Sequence, residues 1–182
     1  MAKAKGYGEP HGYNAPLGTD TFVFRDDGLV PNNTLPLVVR RGAVPPAASD
    51  PAKAFETAFA KNGWTNSWRN GIFDYHHYHS TTHEVLGIAA GSATVRFGGE
   101  GGETVGLTAG DVVVVPAGVA HALLNASDGL LVVGAYPGGA EPDYVRDDPG
   151  AIAAARRRIA AVARPEADPV DGADGPLMRL WR

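Results

Sequence analysis

Histidine is concentrated in one short stretch of this chain. Of the six histidines, four are His76, His77, His79 and His83, a fifth is His121, and His11 stands apart. A spacing of two, as between His77 and His79, puts both imidazoles on one face of a strand but separates them widely on a helix. The preceding run Ile72-Phe73-Asp74-Tyr75 favours a strand. Five residues past His79, Glu84 opens an apolar run, and a hairpin returns its carboxylate beside the two imidazoles. His121 follows the turn Pro116-Ala117-Gly118, and Asn125, four residues on, shares its strand face. Three imidazoles and one carboxylate converging inside a β-barrel suit a divalent transition metal, with Fe, Mn, Ni, Co and Zn all compatible with such mixed ligation. A helical zinc-protease pattern is excluded, because no histidine stands three residues after Glu84.

Strand parity sorts the neighbours. His76 should point outward and lie at the surface. His83 should also lie outside the barrel, at the surface or as an outer partner of a ligand. Phe73 and Tyr75 share parity with His77, and Leu86 and Ile88 share parity with Glu84. Phe73, Leu86 and Ile88 are expected in the core, while the Tyr75 hydroxyl is the better candidate to orient a substrate. Trp68, Arg69 and Asn70 are expected at the barrel mouth, where Arg69 either binds a substrate carboxylate or forms a surface ion pair.

The elements that must position these groups follow from pattern. Short runs of β-formers at 73–79, 84–90, 93–97, 104–107, 111–115, 120–125 and 130–136 alternate with glycine-rich turns, which predicts an all-β sandwich or barrel. Two more short strands are expected at 21–25 and at 35–40, the latter at an edge because of Pro36. Asp50 and Pro51 start a helix that buries Phe55 and Phe59 and closes at Gly63. Asp147, Asp148 and Pro149 open a second helix, which Pro165 closes, with Ile152, Ala155, Ile159 and Val162 on its apolar face. Its Arg156, Arg157 and Arg158 read as a solvated face rather than a nucleic-acid patch. The first 20 residues read as an arm, and the end of the tail, Leu177, Leu180 and Trp181, is expected to dock on the domain.

At the site residues the chain resembles the cupin superfamily. The spacing of Gly71, His77, His79, Glu84 and Gly91 follows that family's first motif, and that of Gly110, Pro116, Gly118, His121 and Asn125 follows its second. The run from Thr65 to Ile88 is similar to bacterial single-domain cupins of largely unassigned activity. The resemblance implies a double-stranded β-helix, the jelly-roll barrel, with an N-terminal arm and two flanking helices. It implies one divalent metal per chain held by His77, His79, Glu84 and His121, with Fe or Mn favoured over Ni, Zn or Co. Asn125 would sit in the barrel near substrate without being a ligand.

The activity expected is that of a small-molecule metalloenzyme, a dioxygenase first and an isomerase or decarboxylase second. Glu84 would serve as the ligand able to take a proton, with Tyr75, Arg69 and Asn125 against the substrate. A non-catalytic sensor or storage module is the alternative, and a metal-free sugar epimerase ranks last. One domain is expected over 1–182: arm and helix at 1–70, barrel core at 71–136, a helix at 147–164 and a tail at 165–182. The 182 residues contain no cysteine, which excludes disulfides and thiolate chemistry, and the net charge of −4 argues against nucleic-acid or anionic-membrane partners. The start lacks a signal peptide's apolar segment and no apolar run reaches membrane length, so cytoplasmic residence is expected. Sheet edges leave a homodimer open.

Overall fold

The structure, a computed structural model, describes residues 18–45, 49–146 and 148–182. The expected arm, as far as residue 17, lies outside the described residues, as do His11 and Asp147. Nine strands and three helices are described. In chain order they are β1 (Thr19–Phe24), β2 (Asn33–Arg40), α1 (Pro51–Lys61), β3 (Trp64–Asn70), β4 (Glu84–Ala90), β5 (Ser92–Phe97), β6 (Glu103–Thr108), β7 (Val112–Val115), β8 (His121–Ala126), β9 (Leu131–Pro137), α2 (Ile152–Ala161) and α3 (Pro176–Leu180). A six-stranded antiparallel sheet in the order β1-β2-β7-β4-β9-β3 faces a three-stranded one in the order β6-β5-β8, and together they form the jelly-roll barrel.

Strand alternation separates two cores. Leu86 and Ile88 of β4, Val113 and Val115 of β7 and Val132 of β9 face inward, against Val95 and Phe97 of β5 and Leu107 of β6. The intervening Val85 and Ala89, Val112 and Val114, Val133 and Ala135 face the other way, under Phe55 and Phe59 of α1 and Leu177, Leu180 and Trp181. A strand covered on both faces has no polar side, which is why β7 reads Val-Val-Val-Val and every one of its residues is buried. Gly87 is where the helix comes closest: a methyl group there would stand 2.5 Å from the Phe55 ring, so only glycine admits α1.

Both helix starts were expected, but only one is made as the sequence suggests. Asp50 caps α1, accepting from the Lys53 amide at 3.0 Å, and the helix ends just before Gly63, whose φ is +77°. By contrast α2 begins at Ile152 without a side-chain cap, and the chain is already extended at Val162 (ψ 119°). The expected opening at Asp148 and Pro149 is instead a turn, in which the Gly150 amide donates to Asp148. A third short helix, α3, docks Leu177, Leu180 and Trp181, all buried.

Two strand expectations need correction. Pro36 does not mark an edge: β2 lies inside the large sheet between β1 and β7, and Pro36 falls at the register shift against β1, outside the stretch Val38–Arg40 paired with β7. Residues 73–79 form no strand: the chain bends at 74–75 and 80–81 and pairs through isolated contacts, the bridges His77 to His121 and Tyr78 to Val145 and the Leu123 and Gly118 amides donating to the Phe73 and His79 carbonyls. The outer strand is β3, which pairs with β9 across a register shift between Thr65 and Trp68. Its sequence Trp-Thr-Asn-Ser-Trp-Arg-Asn is polar because an edge strand keeps one side in water. No helix among the described residues is long and apolar enough to cross a membrane.

Candidate metal centre

The bridge between His77 and His121 creates the site. Each residue's amide donates to the other's carbonyl, at 3.3 and 3.0 Å, so the two side chains emerge together with ring centroids 4.2 Å apart. His121 opens β8 in the small sheet, Glu84 opens β4 in the large one, and the connecting chain lays His79 between them. Ligand atoms of His77, His79 and His121 all lie within 4.8 Å of one another, and the three residues are buried. The Glu84 Oε2 atom stands 3.4 Å from Nε2 of both His79 and His121.

The free ring nitrogens are assigned by what the others do. Nδ1 of His79 meets the Asp143 carbonyl and Nδ1 of His77 meets the Tyr75 carbonyl at 3.3 Å. A carbonyl only accepts, so each Nδ1 carries a hydrogen, and in the neutral ring Nε2 keeps the lone pair. Asp143 is itself tied down, its carboxylate accepting from the Ser80 and Thr81 amides and from the Ser80 hydroxyl.

Charge follows from burial and neighbours. Burial, and then the nearby His79, push His77 below its ordinary value; burial and then His77 push His121 down to about 3. Both are therefore neutral donors near pH 7. Burial alone would raise the Glu84 carboxyl, but His79 beside it more than offsets this and holds it ionised. His79 is the mirror case, lowered by burial and raised further by Glu84. The buried Oε2 of Glu84 has no hydrogen-bond partner among the described residues. An ionised carboxylate oxygen left open beside imidazole lone pairs costs free energy unless a cation completes it, so these residues fit a divalent metal.

A cleft of about 260 Å³ leads to His77 and His121, walled by Trp68, Arg69, Asn70, Phe73 and Tyr144. Trp68 enters the barrel because Gly134 leaves room: a methyl group there would lie 2.1 Å from the indole. Its Nε1–H donates to the Tyr136 hydroxyl at 2.9 Å. Burial and then the Glu84 charge push the Tyr136 phenol upward, so it stays protonated.

Other expected site residues stand elsewhere. Asn125 is exposed and away from this cleft, because a register shift between Thr94 and Val95 bulges β8 and reverses the parity that would align it with His121. Arg69 lines the cleft, but its guanidinium is held by Glu56 at 2.6 and 2.9 Å. Tyr75 touches His77 through its carbonyl, while its ring lies under the Arg146 guanidinium at 3.6 Å and is not among the cleft walls. Phe73, expected in the core, is 45% exposed. His76, expected at the surface, is half-buried against Glu100.

His83 is 1% exposed, with its ring 4.6 Å from Trp181 on the far side of β4. Arg156 pairs with Asp26 at 2.6 Å and Arg158 with the Ser80 hydroxyl, so two of the three consecutive arginines are engaged within the fold. Tyr136, Asp143 and Tyr144 escaped the sequence reading. The only signal was that Tyr136 has the inward parity of Val132 on β9.

Comparison with known proteins follows this geometry. Residues 69–133 match the family described as Cupin domain. The chain is 42% identical over 164 residues to the Bacillus subtilis (strain 168) protein named "Uncharacterized protein YjlB", covering 90% of this chain and 96% of that one. Among solved structures it is similar to acireductone dioxygenase from Bacillus anthracis with a cadmium ion in its active centre (TM-score 0.39, 21% identity, 52% of this chain and 63% of that one). It is also similar to a single-substitution variant of the oxalate decarboxylase of Bacillus subtilis (TM-score 0.38, 22% identity, 62% of this chain and 28% of that one).

Proposed function

The chain belongs to the cupin family, and from that premise we propose that it is a metal-dependent enzyme acting on a small oxygenated organic molecule. Dioxygenation is the first reading, isomerisation or decarboxylation the second. The observation that carries this is the convergence of three buried imidazoles and a buried carboxylate at the inner end of a cleft of about 260 Å³. In this reading His77, His79, His121 and Glu84 hold one divalent ion, Fe or Mn first and Ni, Zn or Co as further candidates. Such an ion supplies Lewis acidity and, for iron, redox capacity toward a substrate oxygen or O2.

The protein's own contribution is position, dryness and proton handling. Asp143 and Tyr75 aim the imidazoles through their carbonyls. Glu84 is the ligand able to loosen and take a substrate proton, with the Tyr136 phenol beside it. Trp68 and Tyr144 wall the approach. Arg69, already engaged by Glu56, keeps a substrate role only if a carboxylate competes with that pair, and the Asn125 role falls away with its exposure. The open cleft weighs against a non-catalytic module, for which a closed, dry mouth is expected. A single domain over 1–182, cytoplasmic residence and a homodimer remain parts of the same proposal.

The test starts with metal analysis of the purified chain. His121→Ala is expected to lower metal affinity by more than about a hundredfold, beyond the loss usual for an outer partner, while the β-sheet circular dichroism stays. Full metal retention in His121→Ala and His77→Ala overturns the site. Oxygen uptake by an iron-loaded sample with candidate substrates, against turnover under argon, separates dioxygenase from isomerase or decarboxylase.

A further inference from the structure

Among the described residues five large hydrophobic side chains stand exposed: Val23, Leu29, Phe73, Leu124 and Tyr144. The two aromatic ones, Phe73 at 45% and Tyr144 at 60%, wall the same cleft above His77 and His121. Scattered exposed apolar residues need no explanation, but two aromatic rings meeting at the entrance of a cleft that reaches these histidines do.

Both rings are held in place. Tyr144 lies nearly parallel to His77, at 21° and 6.2 Å between centroids, and edge-on to His79 at 4.9 Å. Phe73 stacks on Tyr75 at 4.9 Å, and Tyr75 in turn carries the Arg146 guanidinium at 3.6 Å. Phe73 and Tyr144 meet edge to face at 6.4 Å. Of the polar side chains on the other walls, the Trp68 indole is paired with Tyr136, the Arg69 guanidinium with Glu56 and the Asn70 Oδ1 with the Gly71 amide, which leaves the Asn70 amide hydrogens as the main open donor. A polyol or a dicarboxylate would therefore find few open partners on these walls, while a flat apolar body would find two ring surfaces.

We infer that the cleft selects a planar, conjugated small molecule about one ring in size. Its oxygen donors sit at one edge, toward His77 and His121, and its flat body lies against Phe73 and Tyr144. This rests on the metal-centre reading and narrows the substrate class within it. The volume of about 260 Å³ sits just below the range of roughly 300–1,000 Å³ typical of drug-sized ligands, which limits the body to a single ring.

The test is calorimetric titration of the full-length, Mn(II)-loaded chain with benzoate and with cyclohexanecarboxylate. The two present the same carboxylate and differ in planarity. Benzoate is expected to bind about fivefold tighter. In the double variant Phe73→Ala/Tyr144→Ala that ratio should fall to near one, with metal content by mass spectrometry unchanged. Equal affinities in the natural chain overturn the inference, as does a ratio that survives in the double variant, or no binding of either acid at millimolar concentration. A chain that takes up no metal yet keeps the benzoate preference leaves this inference standing and brings down the metal centre instead.

Discussion

His79 and His83 are four residues apart and almost equally hidden, yet they belong to opposite regions of the molecule. His79 lies at the open end of the barrel with its Nε2 toward Glu84, His77 and His121. His83 lies beyond the large sheet, where its Nδ1 accepts the Ala117 amide at 2.9 Å and its ring packs on Trp181. Both are buried imidazoles, so burial does not distinguish them. What does is the company: one meets lone pairs and a carboxylate, the other an amide hydrogen and an indole. Convergence of donors, rather than a hidden histidine, is what fits a metal here.

That contrast can be broken in three ways, taken from the largest effect down. Trp181→Ala removes the ring that covers His83 and orphans the Pro36 carbonyl, to which the indole donates at 2.8 Å. It is expected to cost about 3–5 kcal/mol of stability in urea titrations and to leave metal stoichiometry untouched. A loss of metal with little loss of stability would merge the two regions into one.

The second way is acid. Burial pushes His83 down to about 4 from an ordinary 6.5. With the folded value below the unfolded one, the unfolded chain takes the proton first as pH falls. Stability from this residue is therefore intact above pH ~6.5 and lost progressively toward pH ~4, by up to about 3 kcal/mol. The difference in unfolding free energy between the natural chain and His83→Gln, followed over that range, should show this slope. A flat difference would mean that His83 is solvated or charged in the fold.

The smallest effect sharpens the other region. Asp143→Ala releases Ser80 and Thr81 and loosens the carbonyl that orients His79. It should weaken metal affinity about tenfold, as outer partners of ligands typically do, with little change in stability. If affinity is unchanged while His121→Ala loses the metal, the His79 orientation is set by the barrel alone.

The sequence carried the barrel strands well because both of its signals, glycine turns and short runs of β-formers, are local. The stretch 84–90 is β4 to the residue, and Asp50 with Pro51 starts α1 where expected. The stretch 73–79 misled because its alternating pattern is satisfied by side chains converging on one point rather than by a strand partner along its length. β3 was missed for the reverse reason, since pairing with β9 holds a polar edge that no hydrophobic period announces. The assignment of Asn125 failed on a single extra residue in β8, because a bulge reverses parity without leaving a mark in the sequence.

By itself, then, the sequence determined the family, the sheet-rich fold and the five-residue distance that brings Glu84 back to His79, because these depend on residue type and short spacing. Only the tertiary structure decided that His83 is buried under Trp181, that Arg69 is engaged, and that Phe73 and Tyr144 meet over the cleft. Those are outcomes of which distant chains pack together, and a spacing along the chain holds no record of that.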